Sequence, residues 1–183
     1  CLLVLSGCAV LDKSTFTTYQ LEVEKNKSVT EILNLKAKYF ELVDLIENND
    51  SRQPTADEFV ASLFIDDSSW IAKFDGGDDI VFEGGNAMHT FSAWLKTLYI
   101  DGKYTKHFGL NPQIQVQGDT ATSKEQMLML QTDLKTNTII YILGEYQDVL
   151  KKNADGNWRF LSRTLHVGQT VNWKILRPEN KEL

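Results

Sequence analysis

Hydrophobic residues in this chain recur with two different periods, and the switch between them limits the folds available. From Ser28 onward, Ile32, Leu35, Tyr39, Leu42, Val43 and Ile46 follow helical spacing, with Ser28 or Thr30 able to cap and Glu31 in the first turn. Further along, Ile114 and Val116, Met127 and Met129, Ile140 and Ile142, and Trp158 and Phe160 alternate instead. These four long segments are parted by Gly118-Asp119, Lys135-Thr136-Asn137 and Asp155-Gly156. Successive strands joined by tight turns build an antiparallel meander, not a parallel sheet with crossover helices. Between the two regions, a short helix follows Pro54-Thr55, with Phe59, Val60, Leu63 and Phe64 on its apolar side, and ends at Asp66-Asp67. Short strands over 70–74 and 80–83 flank Gly76-Gly77, and a third helix over 86–99 carries Phe91, Trp94, Leu95 and Leu98. The expected class is α+β, with no boundary that would split residues 28–170.

Composition narrows the function. With 42% apolar residues in 183, the chain can bury the core of one domain. A net charge of −6, with no run of Lys or Arg able to track a phosphate backbone, argues against nucleic acid as a partner. Both cysteines, Cys1 and Cys8, precede the folded body, which therefore cannot form a disulfide, a thiolate metal site or a cysteine nucleophile. The three histidines have no metal-ligand spacing, and neither Asp66-Asp67 nor the run Asp75-Gly76-Gly77-Asp78-Asp79 has the oxygen ladder of a calcium loop. No metal is expected.

The opening residues read as an address. The apolar stretch over residues 1–11 is about half the ~20 residues that a spanning helix needs. Leu5-Ser6-Gly7-Cys8 resembles a bacterial lipobox, in which the last Cys is acylated. On that reading residues 1–8 end a lipoprotein-type signal, 9–27 form a tether and 171–183 a tail. The protein would be exported and meet a membrane only through lipid at Cys8, with Ala9 pointing to the periplasmic side of the outer membrane. The alternative is a buried segment that happens to contain cysteine.

On a wheel advancing ~100° per residue, Asp44 falls beside Leu33 and Phe40, on the flank of the buried face. A carboxylate there needs a partner or a raised pKa. Lys36, Lys38 and Glu41 are read as the solvated row.

Several ordered segments resemble the SnoaL-like branch of the nuclear transport factor 2-like superfamily. These are Tyr39-Phe40-Glu41-Leu42-Val43-Asp44, Phe64-Ile65-Asp66-Asp67-Ser68-Ser69-Trp70, and His107-Phe108-Gly109-Leu110 with its hairpin at Gly118-Asp119. Gly144-Glu145-Tyr146-Gln147-Asp148, Gly156-Asn157-Trp158-Arg159-Phe160 and Arg163 complete the set. The resemblance spans roughly residues 28–168. It implies N-terminal helices packed in a strongly curved antiparallel sheet, a cone whose open end holds a small apolar or aromatic molecule, and in many members a homodimer through the sheet face.

Dehydratase-like members use a Tyr and an Asp of the first helix and a His of the sheet, and the matching positions are Tyr39, Asp44 and His107. In such a set the imidazole is the base, the carboxylate fixes its tautomer and the phenol is a candidate electrophile. No cofactor is required. Each residue also has a plainer role: His107 as a rim histidine, Asp44 in a salt bridge with Arg163, and Tyr39 as core. Trp70, Phe91, Trp94, Glu125 and Arg163 are the expected pocket residues. His89 and His166 read as peripheral. If Met127 and Met129 face inward, the floor is apolar and only Ser123 or Glu125 adds polarity. Two functions stay open: a cofactor-independent lyase or isomerase/cyclase using a His–Asp pair, and a non-catalytic ligand-binding or interaction domain of the cell envelope.

Overall fold

The computed structural model describes residues 13–174. Elements follow in the order α1 (Lys13–Glu47), α2 (Ala56–Leu63), β1 (Phe64–Phe74), β2 (Ile80–Glu83), α3 (Ala87–Thr97), β3 (Lys103–Gln117), β4 (Thr120–Asp133), β5 (Thr138–Lys152) and β6 (Trp158–Lys174). This is the order read from the sequence, with three differences in extent. Helix α1 begins at Lys13 instead of Ser28, because no glycine or proline interrupts residues 13–47. Its residues 17–27 are exposed and burial begins at Ser28. Strand β1 begins at Phe64, so the Asp66-Asp67 pair lies in a strand, where Asp67 takes a positive φ of 57°. Strand β6 runs to Lys174, into the residues read as a tail. Cys8 and the signal-like segment lie outside the described residues.

The six strands are ordered β2-β1-β6-β5-β4-β3. Strands β3 to β6 form the expected meander, turned at Gly118 (φ 59°) and at Asn137 (φ 54°). The sheet is mixed where a purely antiparallel one was expected, since β1 pairs in parallel with β6. That pairing needs a long connection, and the chain supplies one: β2, α3 and the first three strands of the meander, β3 to β5, lie between the two strands.

Register shifts between Leu110 and Gln113, Ile142 and Gly144, and Val149 and Leu150 interrupt the ladders. Such irregularities bend a sheet and increase its twist, and here the sheet packs around α1. Ile32, Leu35, Tyr39, Val43 and Ile46 of α1 enter a core completed by Phe59, Phe64, Phe91, Leu150 and Phe160. A capping box holds the start of α2: the Thr55 hydroxyl accepts from the Glu58 N–H at 3.2 Å, and the Glu58 carboxylate accepts from the Thr55 N–H at 2.8 Å.

Candidate active site

The C-terminal end of α1 is fastened to β3 by one side chain. Asn48 Nδ2 donates to the carbonyls of Asp44 (2.7 Å) and Thr105 (2.8 Å), while its Oδ1 accepts from the Thr105 N–H at 2.7 Å. This fixes the register of helix against strand and brings Asp44 opposite His107.

His107 Nδ1 lies 2.8 Å from Asp44 Oδ1, and the His107 backbone N–H donates to the same oxygen at 2.9 Å. Lys106 Nζ pairs with Asp44 Oδ2 at 2.7 Å. Both side chains of the His–Asp pair are more than nine-tenths buried, and the imidazole stacks on Phe40. An imidazole whose Nδ1–H is given to a carboxylate keeps its lone pair on Nε2, so the arrangement assigns the tautomer that can take up a proton. Among the described residues no protein group hydrogen-bonds Nε2. The salt bridge considered for Asp44 and Arg163 is not formed.

His107 reaches the wall of a cavity of about 150 Å³, which Tyr39, Trp70, Trp94, Met127, Met129 and Tyr146 also line. A dry cavity of about this volume accommodates a benzene-sized guest. Both methionines face inward, which makes the floor apolar. The Tyr39 hydroxyl accepts from Trp70 Nε1 at 2.9 Å and lies 3.5 Å from the Tyr146 hydroxyl. Burial, with Tyr146 alongside, pushes the Tyr39 phenol well above its ordinary range. It therefore stays protonated and has a hydrogen to donate.

One cavity residue escaped the sequence reading. Glu47 is 8% exposed and lines the same space, with no hydrogen-bond or ion-pair partner among the described residues. Burial raises its carboxyl to about 7; the nearby His107 opposes that shift and Asp44 adds to it. Glu47 follows Tyr39 by eight residues, about 80° around the wheel, so it lies at the edge of the apolar arc and was findable there.

Of the expected pocket residues, Trp70 and Trp94 line the cavity and three do not. Phe91 is fully buried behind the wall, stacked on Trp70 with ring centroids 4.5 Å apart. Arg163 and Glu125 belong to a separate buried ionic cluster. Arg163 donates through one nitrogen to both oxygens of Asp148 (3.1 Å each) and through the other to Glu125 Oε1 (3.1 Å). Lys36 Nζ completes it, with Glu125 Oε1 at 3.0 Å, the Ser123 hydroxyl at 2.8 Å and Asp148 Oδ2.

The Arg163 guanidinium lies between the rings of Tyr39 and Tyr146, 4.1 and 3.7 Å from their centroids. The expectation that Lys36 is solvated is overturned: it is 2% exposed, because two carboxylates and a hydroxyl await it inside. Its wheel position, about 60° from Tyr39, already lay within the apolar arc. The cluster contains two cations and two anions; Arg163 touches the cavity-lining rings of Tyr39 and Tyr146, and Lys36 and Glu125 line a second pocket that His107 also reaches.

His89 pairs with Asp57 at the surface, 3.0 Å apart. Among the described residues no group of three or more His, Cys, Asp or Glu side chains could hold a metal ion, and no helix is long and apolar enough to cross a membrane.

Comparison with solved structures places the fold among known ones. A putative scytalone dehydratase from Novosphingobium aromaticivorans is 18% identical with a TM-score of 0.60, covering 90% of this chain and 99% of its own. A type 2 hexachlorocyclohexane dehydrochlorinase (LinA) is 19% identical with a TM-score of 0.61, covering 88% and 99%. The Kfla4162 protein of Kribbella flavida is 17% identical with a TM-score of 0.61, covering 80% and 95%. At such identities the likeness concerns the fold. No curated protein matches the chain in sequence. The family model of the SnoaL-like domain matches residues 25–164, which takes in the helix with Asp44, the strand with His107 and the closing hairpin. The chain therefore belongs to the SnoaL-like family, within the nuclear transport factor 2-like fold.

Proposed function

We propose that the domain is a cofactor-independent lyase acting on a small cyclic substrate, with His107 as its base. The observation that carries this reading is the 2.8 Å contact between His107 Nδ1 and Asp44 Oδ1 at the wall of a mostly apolar, ring-sized cavity. His107 Nε2 removes a proton from a carbon next to an electron-withdrawing group. Asp44 holds the ring in position and stabilises the imidazolium that forms. The electron pair released from the C–H bond forms the new double bond, and the leaving group departs from the neighbouring carbon with the bonding electrons. If that group is hydroxide, the proton taken up by His107 is returned to it, so it leaves as water and the neutral imidazole is restored. The Tyr39 and Tyr146 hydroxyls, both held neutral by burial, can donate hydrogen bonds to oxygen as negative charge develops.

Two structural neighbours support the choice of reaction type, since their names, scytalone dehydratase and hexachlorocyclohexane dehydrochlorinase, describe eliminations from cyclic compounds. The second reading, binding without turnover, is favoured by the small volume and mostly apolar lining of the cavity. Incubation with 3-hydroxycyclohexanone separates the two. A lyase forms cyclohexenone and water, followed by the absorbance of the conjugated ketone, and His107→Gln abolishes the reaction. Saturable binding with no enone formed by the wild-type chain would leave the binding module.

A further inference from the structure

Among the described residues Glu47 is the one carboxyl in the cavity wall, and it has no hydrogen-bond or ion-pair partner there. The other elements contribute apolar side chains to the same wall: Trp70, Ala72 and Phe74 of β1, Trp94 of α3, Met127 and Met129 of β4. The titratable groups that face this space are Tyr39 of α1, His107 of β3 and Tyr146 of β5. Asp44, one turn before Glu47 on α1, is occupied by His107 and Lys106. Among the described residues Glu47 forms no ion pair; His107 is the one basic side chain on the same wall, and the buried cations Lys36 and Arg163 are bound to Glu125 and Asp148.

Burial without a counter-ion favours the neutral form of a carboxyl, and below the point near 7 where Glu47 titrates it has one O–H to donate. A guest that displaces water from this wall has to supply an acceptor for that O–H, since leaving it unmet costs more than a typical hydrogen bond returns. A guest that is wholly hydrocarbon leaves the donor unmet, and a guest with an anionic group meets a second acidic group in mostly apolar surroundings. A small ring with an uncharged oxygen satisfies both the walls and the donor.

We infer that Glu47 is the polar anchor of the cavity and selects small cyclic guests with a carbonyl or hydroxyl oxygen, to which its carboxyl group donates a hydrogen bond. This rests on the lyase reading for the identity of the chamber as a substrate site, but it makes a separate claim about recognition. It narrows the substrate class from small cyclic molecules to cyclic ketones and alcohols. Halogenated hydrocarbons, which lack such an oxygen, gain nothing from Glu47.

The test uses cyclohexanone, an acceptor that cannot donate, and cyclohexane as its apolar control, with binding read from the fluorescence of Trp70 and Trp94. Wild-type protein is expected to bind the ketone about tenfold more weakly once pH rises above the point where Glu47 ionises, with cyclohexane affected less. Glu47→Gln, which keeps a donor that does not ionise, should bind the ketone equally well across that range. Glu47→Leu should lose the preference for ketone over cyclohexane at every pH.

A pH dependence that persists in Glu47→Gln assigns the effect to His107 and overturns the inference. So does an unchanged preference in Glu47→Leu, or the absence of ketone binding to the wild-type protein. If the ketone binds as described while 3-hydroxycyclohexanone is never dehydrated, the anchor stands and the lyase reading alone falls. If dehydration proceeds and neither substitution alters ketone binding, the lyase reading stands and the anchor falls.

Discussion

A single oxygen of Asp44 accepts both the ring Nδ1–H and the backbone N–H of His107, at 2.8 and 2.9 Å. The carboxylate thus fixes the position of the strand and the orientation of the imidazole with the same atom. Asp44→Asn keeps an oxygen acceptor but loses the charge that stabilises the imidazolium and pairs with Lys106. Turnover is expected to fall by about 100-fold or more, while thermal unfolding shows a loss of roughly 1 kcal/mol. Parallel kinetics and melting curves on the purified variant measure both effects.

The cluster of Lys36, Arg163, Glu125 and Asp148 is balanced, and stability depends on that balance. Lys36→Met leaves an excess negative charge buried and is expected to destabilise the fold by about 3–5 kcal/mol. Adding Glu125→Gln restores neutrality and should recover much of the loss. Urea midpoints of the single and double variants provide the check, and additive losses would count against the cluster acting as a unit.

Glu47 makes stability depend on pH. Its carboxyl titrates near 7 in the folded chain against 4.5 ordinarily, so the native state binds the proton more tightly than the unfolded state. This stabilising contribution is complete below about pH 4.5 and is lost as pH rises through about 7, by on the order of 3 kcal/mol. Glu47→Gln should flatten that decline, and urea denaturation of both proteins from about pH 4.5 to 8 reads the difference.

Gly144 lies in β5 at one of the irregularities that bend the sheet. A Cβ there would sit 2.8 Å from the His166 carbonyl oxygen and 2.9 Å from Leu165 Cδ1. The carbonyl belongs to the neighbouring strand and cannot step aside without disturbing the ladder. Gly144→Ala is expected to cost about 1–3 kcal/mol, seen as a lower melting temperature.

Much of the fold was legible because its signals are periodic. The step from helical spacing before Ile46 to alternation after Ile114 located the helix and the meander, and Gly118-Asp119 located a hairpin. The parallel pairing of β1 with β6 was not legible, since it joins Trp70 to Arg163 across most of the domain and depends on how the sheet closes. The start of α1 was missed for another reason: residues 17–27 are helical but exposed, so no apolar stripe marks them.

In the site, Asp44 was found because a charged residue beside an apolar stripe is conspicuous. Arg163 and Glu125 were placed in the pocket because a strand shows which residues face inward but not which interior chamber they enter. Lys36 and Glu47 lay within or at the edge of the apolar arc, yet long charged side chains are usually solvated, and only the presence or absence of a partner across the fold distinguishes them.

The most direct measurement is hydrogen–deuterium exchange at the carbons beside the carbonyl of cyclohexanone, followed by proton NMR in deuterated water. It reads proton removal from carbon without requiring any leaving group. The wild-type chain should accelerate exchange above buffer, and His107→Gln should lose at least about 100-fold of that acceleration while still binding the ketone. Exchange as fast with His107→Gln as with the wild-type chain would contradict the role given to the imidazole and leave a cavity that binds without reacting.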